Sequence, residues 1–259
     1  MDKTLITANC FGTLSCDLQF MDNVSISYDT LSYDHSAEYK ILVQIEPPEI
    51  LNLTESIIKN SGNFDLILAW DKNILSKCGN SKKFIFGSSW INQDKFVANK
   101  SNQISFLTSN KLFGNVVGHK LRHEVFNKLS NQYNDFTVLK LMTPPRIEDK
   151  SIMFTEAKYS IIVENVSSQN WVTEKLIDCL VTKTIPLYWG CPNVGDYFNE
   201  SGILTFTSFE ELLILLNSLT IGHYESLVDV VNENYLKSLE YVDFHSRVGD
   251  VILDKFYNK

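Results

Sequence analysis

Residues 159–194 read YSIIVENVSSQNWVTEKLIDCLVTKTIPLYWGCPNV, and they contain the most unusual pattern in the chain. An apolar run ends abruptly at Glu164 and Asn165, a short polar segment follows, and apolar residues then recur at helical spacing. The pattern predicts a strand over 159–165, a helix over 171–182 and a strand over 184–190. A strand, a helix and a strand in succession are typical of parallel sheets in α/β proteins.

The same alternation runs through the rest of the chain. The predicted strands cover 4–8, 39–45, 64–70, 83–87, 103–109, 136–142, 159–165, 184–190 and 202–206. The predicted helices cover 49–60, 117–130, 171–182, 208–218, 223–240 and 243–257. A polar stretch over 91–103 divides the series, so we expect two α/β lobes, 1–100 and 101–259, with mostly parallel sheets facing a cleft. We expect the last helix to pack back on the first lobe.

Composition limits the class of protein. The formal charge of −8 argues against a general nucleic-acid partner, although a local basic pocket remains compatible with it. No uninterrupted apolar run reaches the roughly 18 residues that a membrane span needs, and the N-terminus lacks the pattern of a signal peptide. The five cysteines have no C-x-x-C spacing, which favours a reduced interior. We therefore expect a soluble, cytoplasmic protein.

The start of the predicted helix over 171–182 carries an unusual charge. Asn170 or Ser168 is the expected N-cap, which places Lys175 in the first turn, where the helix dipole disfavours a cation. The simpler interpretation is that Lys175 and Glu174 are both solvated. The alternative is a phosphate bound by Lys175 and the helix amides, with Glu174 accepting hydrogen bonds from a ribose.

A second predicted strand-to-helix turn also concentrates positive charge. Residues 108–129 read TSNKLFGNVVGHKLRHEVFNKL, and positive charge is concentrated in them at Lys111, His119, Lys120, Arg122 and His123. A solvated helix face would show the same pattern. His119 and His123 alone would not complete a zinc site, and we expect no metal. Taken together, the two turns predict a cleft that binds a diphosphate.

Residues 164–199, ENVSSQNWVTEKLIDCLVTKTIPLYWGCPNVGDYFN, resemble the donor-binding signature of the α1,3-fucosyltransferases, which are grouped as glycosyltransferase family 10. The matching positions are Glu164, Asn165, Val172, Thr173, Glu174, Lys175, Ile185, Pro186, Tyr188, Trp189 and Gly190. A weaker likeness covers Ser109, Asn110 and Arg122, and another covers VQIEPPEI over 43–50. The resemblance implies a GT-B fold of two Rossmann-like lobes, with GDP-fucose bound mainly by the C-terminal lobe and fucose transferred with inversion to a glycan acceptor. Because the sequence shows no membrane anchor like that of the Golgi members of this family, we expect a protein encoded by a bacterium or a virus.

The resemblance also implies roles for individual residues. Arg122 and Lys175 would neutralise the pyrophosphate, Glu174 would bind the ribose, and Asn165 would contact the phosphate or the nucleoside. Glu46 would be the general base, with Glu49 as its nearest competitor. The other predicted donor-binding residues are Ser109, Asn110, Glu164, Trp171 and Thr173. Trp171 stands where the family has a tyrosine, so one hydroxyl contact to the donor would be absent.

Two other functions stay open at this point. The same fold could transfer another GDP- or UDP-linked sugar, or the chain could be a binding module for a sugar nucleotide or a glycan without activity. Dinucleotide oxidoreductases and P-loop NTPases are disfavoured, because neither glycine-rich fingerprint is present. The sequence also lacks the Asp-x-Asp motif with which many glycosyltransferases bind a metal, so we expect no cofactor.

Overall fold

The structure, a computed structural model, describes residues 24–93, 96–112, 114–144 and 147–257. The predicted strand over 4–8 therefore lies outside the described residues, as do Cys10 and Cys16. The described chain forms two compact units, one made of the residues up to Phe86 with those from Asp243 onward, and the other running from Gly87 to Val242. The sequence-based division falls instead at 100, since it follows a polar stretch rather than contacts.

The secondary structure alternates between strands and helices. In chain order the strands are β1 (Val24–Tyr28), β2 (Tyr39–Val43), β3 (Leu66–Ala69), β4 (Ser81–Lys83), β5 (Ser101–Ser109), β6 (Gln132–Tyr133), β7 (Phe136–Thr143), β8 (Ala157–Val163), β9 (Ile185–Trp189) and β10 (Leu204–Thr205). The helices are α1 (Thr54–Lys59), α2 (Lys72–Lys77), α3 (Val117–Lys128), α4 (Glu174–Val181), α5 (Phe209–Ser218), α6 (Ile221–Ser226), α7 (Val228–Leu239) and α8 (Phe244–Phe256).

The first unit is built on a parallel sheet in the order β1-β2-β3-β4. Successive residues of a strand point to opposite faces, so Ile41 and Val43 of β2 pack with α8, whereas Leu42 packs in the cluster that contains Ile57 and Ile74 of α1 and α2. Because both faces are covered, β2 and β3 contain continuous apolar runs.

The second unit contains a larger sheet in the order β10-β9-β8-β5-β7-β6, in which only the pair of β6 and β7 is antiparallel. From β5 the chain moves outward to β7 and then returns to β8 on the other side of β5. The strand order therefore reverses between β5 and β8, which is the position where open α/β sheets bind ligands. Helix α4 packs on β8, β9 and α7.

The predicted α/β class with mostly parallel sheets is confirmed. Several element boundaries differ from those predicted. The helix predicted over 223–240 is divided at Leu227 into α6 and α7, and the helix predicted over 49–60 begins only at Thr54, after a turn at Pro47. Three of the strands and helices, β1, β6 and α2, are absent from the prediction because their patterns are weak. Strand β6 has only two residues. Strand β1 buries Ser25 and Ser27, and α2 buries only Ile74.

Among the helices in the described part of the chain, none combines the length and the apolar character that crossing a bilayer would require.

Candidate functional site

The site lies at the carboxyl ends of β5 and β8, where the strand order reverses. Strand β5 ends at Ser109, and β8 ends at Val163, directly before Glu164 and Asn165. Adjacent parallel strands end at the same edge of a sheet, so these residues share one edge. Ser109 is half-buried, and Asn110 is exposed and donates its backbone N–H to the carbonyl of Thr143 at 2.7 Å.

The Glu164 side chain of the site is fully buried, with no exposed surface. Its Oε2 accepts a hydrogen bond from the Thr173 hydroxyl at 2.6 Å, and its Oε1 accepts one from the Thr173 backbone N–H at 3.3 Å. Lys175 Nζ lies 3.4 Å from the same Oε2. A Cβ atom at Gly190 would stand 2.5 Å from Glu164 Cγ, so the residue directly after β9 must be glycine to leave room for this side chain. Glu164 thus joins the end of β8 to the start of α4.

Helix α4 begins at Glu174, with Thr173 as its N-cap. The Thr173 hydroxyl accepts a hydrogen bond from the Lys175 backbone N–H at 3.3 Å, as an N-cap side chain does. The prediction of a helix from 171, capped by Asn170 or Ser168, is therefore wrong. Asn170 adopts a left-handed conformation with φ of 65°, which interrupts the helix there, and Thr173 is extended.

The charges at the start of α4 form a compact ion-pair cluster. Lys175 Nζ lies 3.1 Å from Glu174 Oε1, and the Glu174 side chain is only 11% exposed. The interpretation that both side chains are solvated is wrong for Glu174. Burial would raise the pKa of the Glu174 carboxyl, but Lys175 and Lys150 more than offset it and lower the pKa to about 2. Burial likewise opposes the Lys175 charge, yet Glu174 and Glu164 raise its pKa. Both side chains are therefore ionised at neutral pH.

Arg122 of α3 is held against the end of β8. Its Nε and Nη2 both donate to the carbonyl of Val163, at 2.8 and 2.5 Å, and Nη2 also donates to Asn165 Oδ1 at 2.9 Å. Its Nη1 has no hydrogen-bond partner among the described residues. Burial lowers the pKa of Arg122, against the opposing effect of Glu164 and Glu174. The residue therefore has a structural role as well as a charge at the site.

The start of α3 approaches the same loop very closely. Gly118 donates its backbone N–H to the carbonyl of Asn165 at 3.0 Å, and a Cβ at Gly118 would stand 1.9 Å from the carbonyl oxygen of Glu164. Only glycine allows this contact. His119, the next residue, is buried and hydrogen-bonded to the Asn165 side chain, and burial together with Arg122 and Lys175 lowers its pKa. His119 is thus a neutral residue of the site, not part of a positive face.

A second buried carboxylate was not predicted as part of the site. Asp178, one turn along α4 from Glu174, has no exposed surface and accepts hydrogen bonds from the Ser89 hydroxyl at 2.9 Å and the Trp90 backbone N–H at 2.7 Å. Lys150 Nζ pairs with its other oxygen at 2.5 Å. The sequence contained one indication that Asp178 is buried, which is its position among the apolar residues of a predicted helix. Lys150 comes from a distant loop and gave no signal in the sequence.

The remaining predicted residues are placed as follows. Trp171 is only 2% exposed. Glu46 belongs to the first unit, where it follows β2, is half-buried and donates its backbone N–H to Asp29 Oδ2 at 2.8 Å, whereas its competitor Glu49 is exposed. The functional roles of Trp171 and Glu46 stay predictions. Among the described residues, no group of three or more His, Cys, Asp or Glu side chains is arranged to hold a metal ion.

Part of this chain is similar in sequence to a known protein. No family model matches the chain. Over 97 residues, or 36% of this chain, the sequence is 31% identical to an α-(1,3)-fucosyltransferase of Helicobacter pylori, FucT. The predicted resemblance is confirmed. The chain spans 20% of the length of this curated relative.

Solved structures show the same fold. A crystal structure of an α1,3-fucosyltransferase with GDP-fucose matches 83% of this chain and 70% of its own, with a TM-score of 0.50 and 16% sequence identity. A crystal structure of an α1,3-fucosyltransferase with GDP matches 91% of this chain and 78% of its own, with a TM-score of 0.51 and 15% identity. The fold that the resemblance implies is confirmed by these similarities.

The contacts of Thr173 predict an effect on stability. Thr173→Val removes both the donor to the buried Glu164 carboxylate and the cap of α4, so we expect the free energy of unfolding to fall by about 1–3 kcal/mol. Thr173→Ser keeps the hydroxyl and is the matched control, with a much smaller loss. Urea unfolding of the three proteins measures the difference. Equal stability of the valine and serine variants would contradict the role assigned to this hydroxyl.

Proposed function

We propose that this chain transfers fucose from GDP-fucose to a hydroxyl group of a glycan acceptor, with inversion at the anomeric carbon. The observation that carries the proposal is the ion-pair cluster at the start of α4, formed by Glu164, Glu174 and Lys175 where the strand order reverses. The same segment carries the resemblance to the fucosyltransferases. The cytoplasmic location expected from the sequence belongs to this proposal, and the free thiols of Cys78, Cys179 and Cys191 are compatible with it.

The charges at the site suit a nucleoside diphosphate. The positive end of the α4 dipole and the partly exposed ammonium of Lys175 favour an anion, and Arg122 has Nη1 available for a phosphate oxygen. Glu174, with its pKa lowered to about 2, stays ionised at all physiological pH values and can accept hydrogen bonds from the ribose hydroxyls. A site with two cations and a carboxylate at this spacing binds the donor by its diphosphate and its ribose.

The donor assignment predicts a preference among nucleotides. Titration calorimetry should show binding of GDP and GDP-fucose, and incubation with a glycan panel should yield fucosylated product. If the protein binds UDP and does not bind GDP, the donor is a UDP-linked sugar and not GDP-fucose. Binding of GDP-fucose without transfer to any acceptor of the panel and without hydrolysis would favour a non-catalytic module.

In the proposed reaction Glu46 is the general base. Its carboxylate takes the proton from the acceptor hydroxyl while the acceptor oxygen forms a bond to the anomeric carbon. The bond from that carbon to the diphosphate breaks on the opposite face, and GDP leaves with the electron pair. The transition state resembles an oxocarbenium ion, as in inverting glycosidases. Lys175 and Arg122 would stabilise the negative charge that develops on the leaving diphosphate.

Substitutions should separate the base from the donor site. Glu46→Gln removes the proton acceptor, so turnover should fall about 10²–10⁴-fold while calorimetry shows nearly unchanged GDP affinity. Lys175→Ala should weaken GDP binding itself, because the diphosphate is charged before and during transfer. Glu49→Gln, at the exposed neighbouring carboxylate, is the control and should resemble the wild type. Normal turnover of Glu46→Gln would contradict the role of Glu46 as the general base. Normal GDP binding by Lys175→Ala would contradict the role of Lys175 in binding the diphosphate.

The proposed charge stabilisation also predicts independence from metal ions. Arg122, Lys175 and the amides of α4 supply the positive charge that a divalent cation supplies in enzymes with an Asp-x-Asp motif. Transfer should therefore continue at a similar rate in excess EDTA. Activity that is lost in EDTA and restored specifically by Mn²⁺ would show that a metal ion supplies this charge.

A further inference from the structure

We infer that Asp29 is a positioning residue for Glu46, because its carboxylate fixes the loop that carries the proposed base. The inference rests on the proposed function, in which Glu46 accepts the proton. Nothing in the resemblance to fucosyltransferases points to Asp29, which lies in a part of the chain outside the matching motifs.

Asp29 holds two consecutive backbone amides. Its Oδ1 accepts a hydrogen bond from the Ile45 N–H and its Oδ2 accepts one from the Glu46 N–H, both at 2.8 Å. Strands β1 and β2 pair as far as Tyr28 and Val43, so Asp29 lies directly beyond the last pair. Its own N–H donates to the Val43 carbonyl at 3.0 Å. The carboxylate thus continues the hydrogen bonding of β2 where the sheet ends.

The conformation of Asp29 is one that few residues other than glycine adopt. Its φ is 47°, in the left-handed region, which aspartate tolerates better than most residues. This conformation turns the chain after β1 while the side chain contacts the chain after β2. The position therefore combines an uncommon backbone with a specific side-chain contact.

The loop is fixed from its other side as well. The Ile45 carbonyl accepts a hydrogen bond from Trp70 Nε1 at 3.0 Å, and Pro47 restricts the backbone directly after Glu46. Hydrogen bonds therefore hold three backbone groups of the loop, which are the amide and the carbonyl of Ile45 and the amide of Glu46. The backbone that carries Glu46 is therefore held on both sides, which is the arrangement that a positioned proton acceptor requires.

The charge of Asp29 has a cost in stability. Burial raises the pKa of Asp29 to about 6, against the lowering effect of the Ile45 and Glu46 amides, and no charged side chain contributes to the shift. Folding therefore favours the protonated form, and ionisation reduces the free energy of unfolding as the pH rises from the ordinary pKa through about 6. A neutral side chain would avoid this cost. The carboxylate therefore fixes the loop of Glu46 through two hydrogen bonds, while its ionisation lowers the free energy of unfolding.

The test compares Asp29→Asn with a matched control. The asparagine has the same shape but offers one acceptor oxygen, and its NH₂ faces the other amide. Asp65 provides the control, because its Oδ2 accepts a hydrogen bond from the Lys40 N–H at 2.8 Å near the other end of β2. Asp65→Asn removes the charge from an equivalent carboxylate–amide contact near the opposite end of β2 from Glu46.

We expect Asp29→Asn to lower kcat about 10–100-fold, with unchanged GDP affinity and donor KM, whereas Asp65→Asn resembles the wild type. The double variant Asp29→Asn with Glu46→Gln should be no slower than Glu46→Gln alone, because Asp29 acts through Glu46. Equal kcat for Asp29→Asn and Asp65→Asn would overturn the inference. A double variant with a lower kcat than Glu46→Gln alone would also overturn the inference, since Asp29 would then act independently of the base.

Amide NMR tests the contact without relying on activity. In the wild type the Ile45 and Glu46 amide protons should shift together with a midpoint near pH 6, and Asp29→Asn should lose this titration while its other resonances stay in place. Absence of the titration in the wild type would overturn the inference. A wild type that titrates as expected but transfers no sugar from any GDP-linked donor would overturn the proposed function, and the assigned role of Asp29 with it.

Discussion

The buried carboxylate of Glu164 is the constraint on which the described site depends. An ionised side chain without exposed surface is stable only when it is paired and hydrogen-bonded, and Thr173 and Lys175 provide those partners. The Thr173 hydroxyl that satisfies Glu164 is also the cap of α4, so one contact determines both the burial of the charge and the residue at which the helix begins. The absence of a side chain at Gly190 makes this arrangement sterically possible.

The same strand end also holds the other cation. Arg122 binds the Val163 carbonyl, one residue before Glu164, and Gly118 lets α3 approach the Glu164 backbone closely. Two carboxylates and two cations therefore surround the end of β8, with their charges in balance. Under the proposed function a diphosphate adds negative charge to this balance. Lys175, whose side chain is 25% exposed, is the partner that can turn from the carboxylates to a phosphate.

The fold was predictable from the sequence because several of its strands contain apolar runs buried on both faces, as in KILVQI after Tyr39. The residues of the site were predictable because Glu164, Thr173 and Lys175 occur within a short segment of characteristic spacing. The geometry among them was not. A pattern of residue types does not show that Glu174 is buried, or that Thr173 caps the helix. Contacts over a large sequence distance, such as those of Lys150 with Asp178 and of Asp29 with Glu46, leave no periodic signal.

A crystal structure with bound GDP tests the central claim most directly, which is that the cluster around Glu164 binds a diphosphate. The account predicts phosphate oxygens within hydrogen-bond distance of Lys175 Nζ, of the Arg122 guanidinium and of the first amides of α4, with Glu174 accepting from the ribose. The Thr173 hydroxyl should still donate to Glu164. GDP bound elsewhere, with the Lys175 pairs to Glu164 and Glu174 intact and no phosphate at α4, would contradict it.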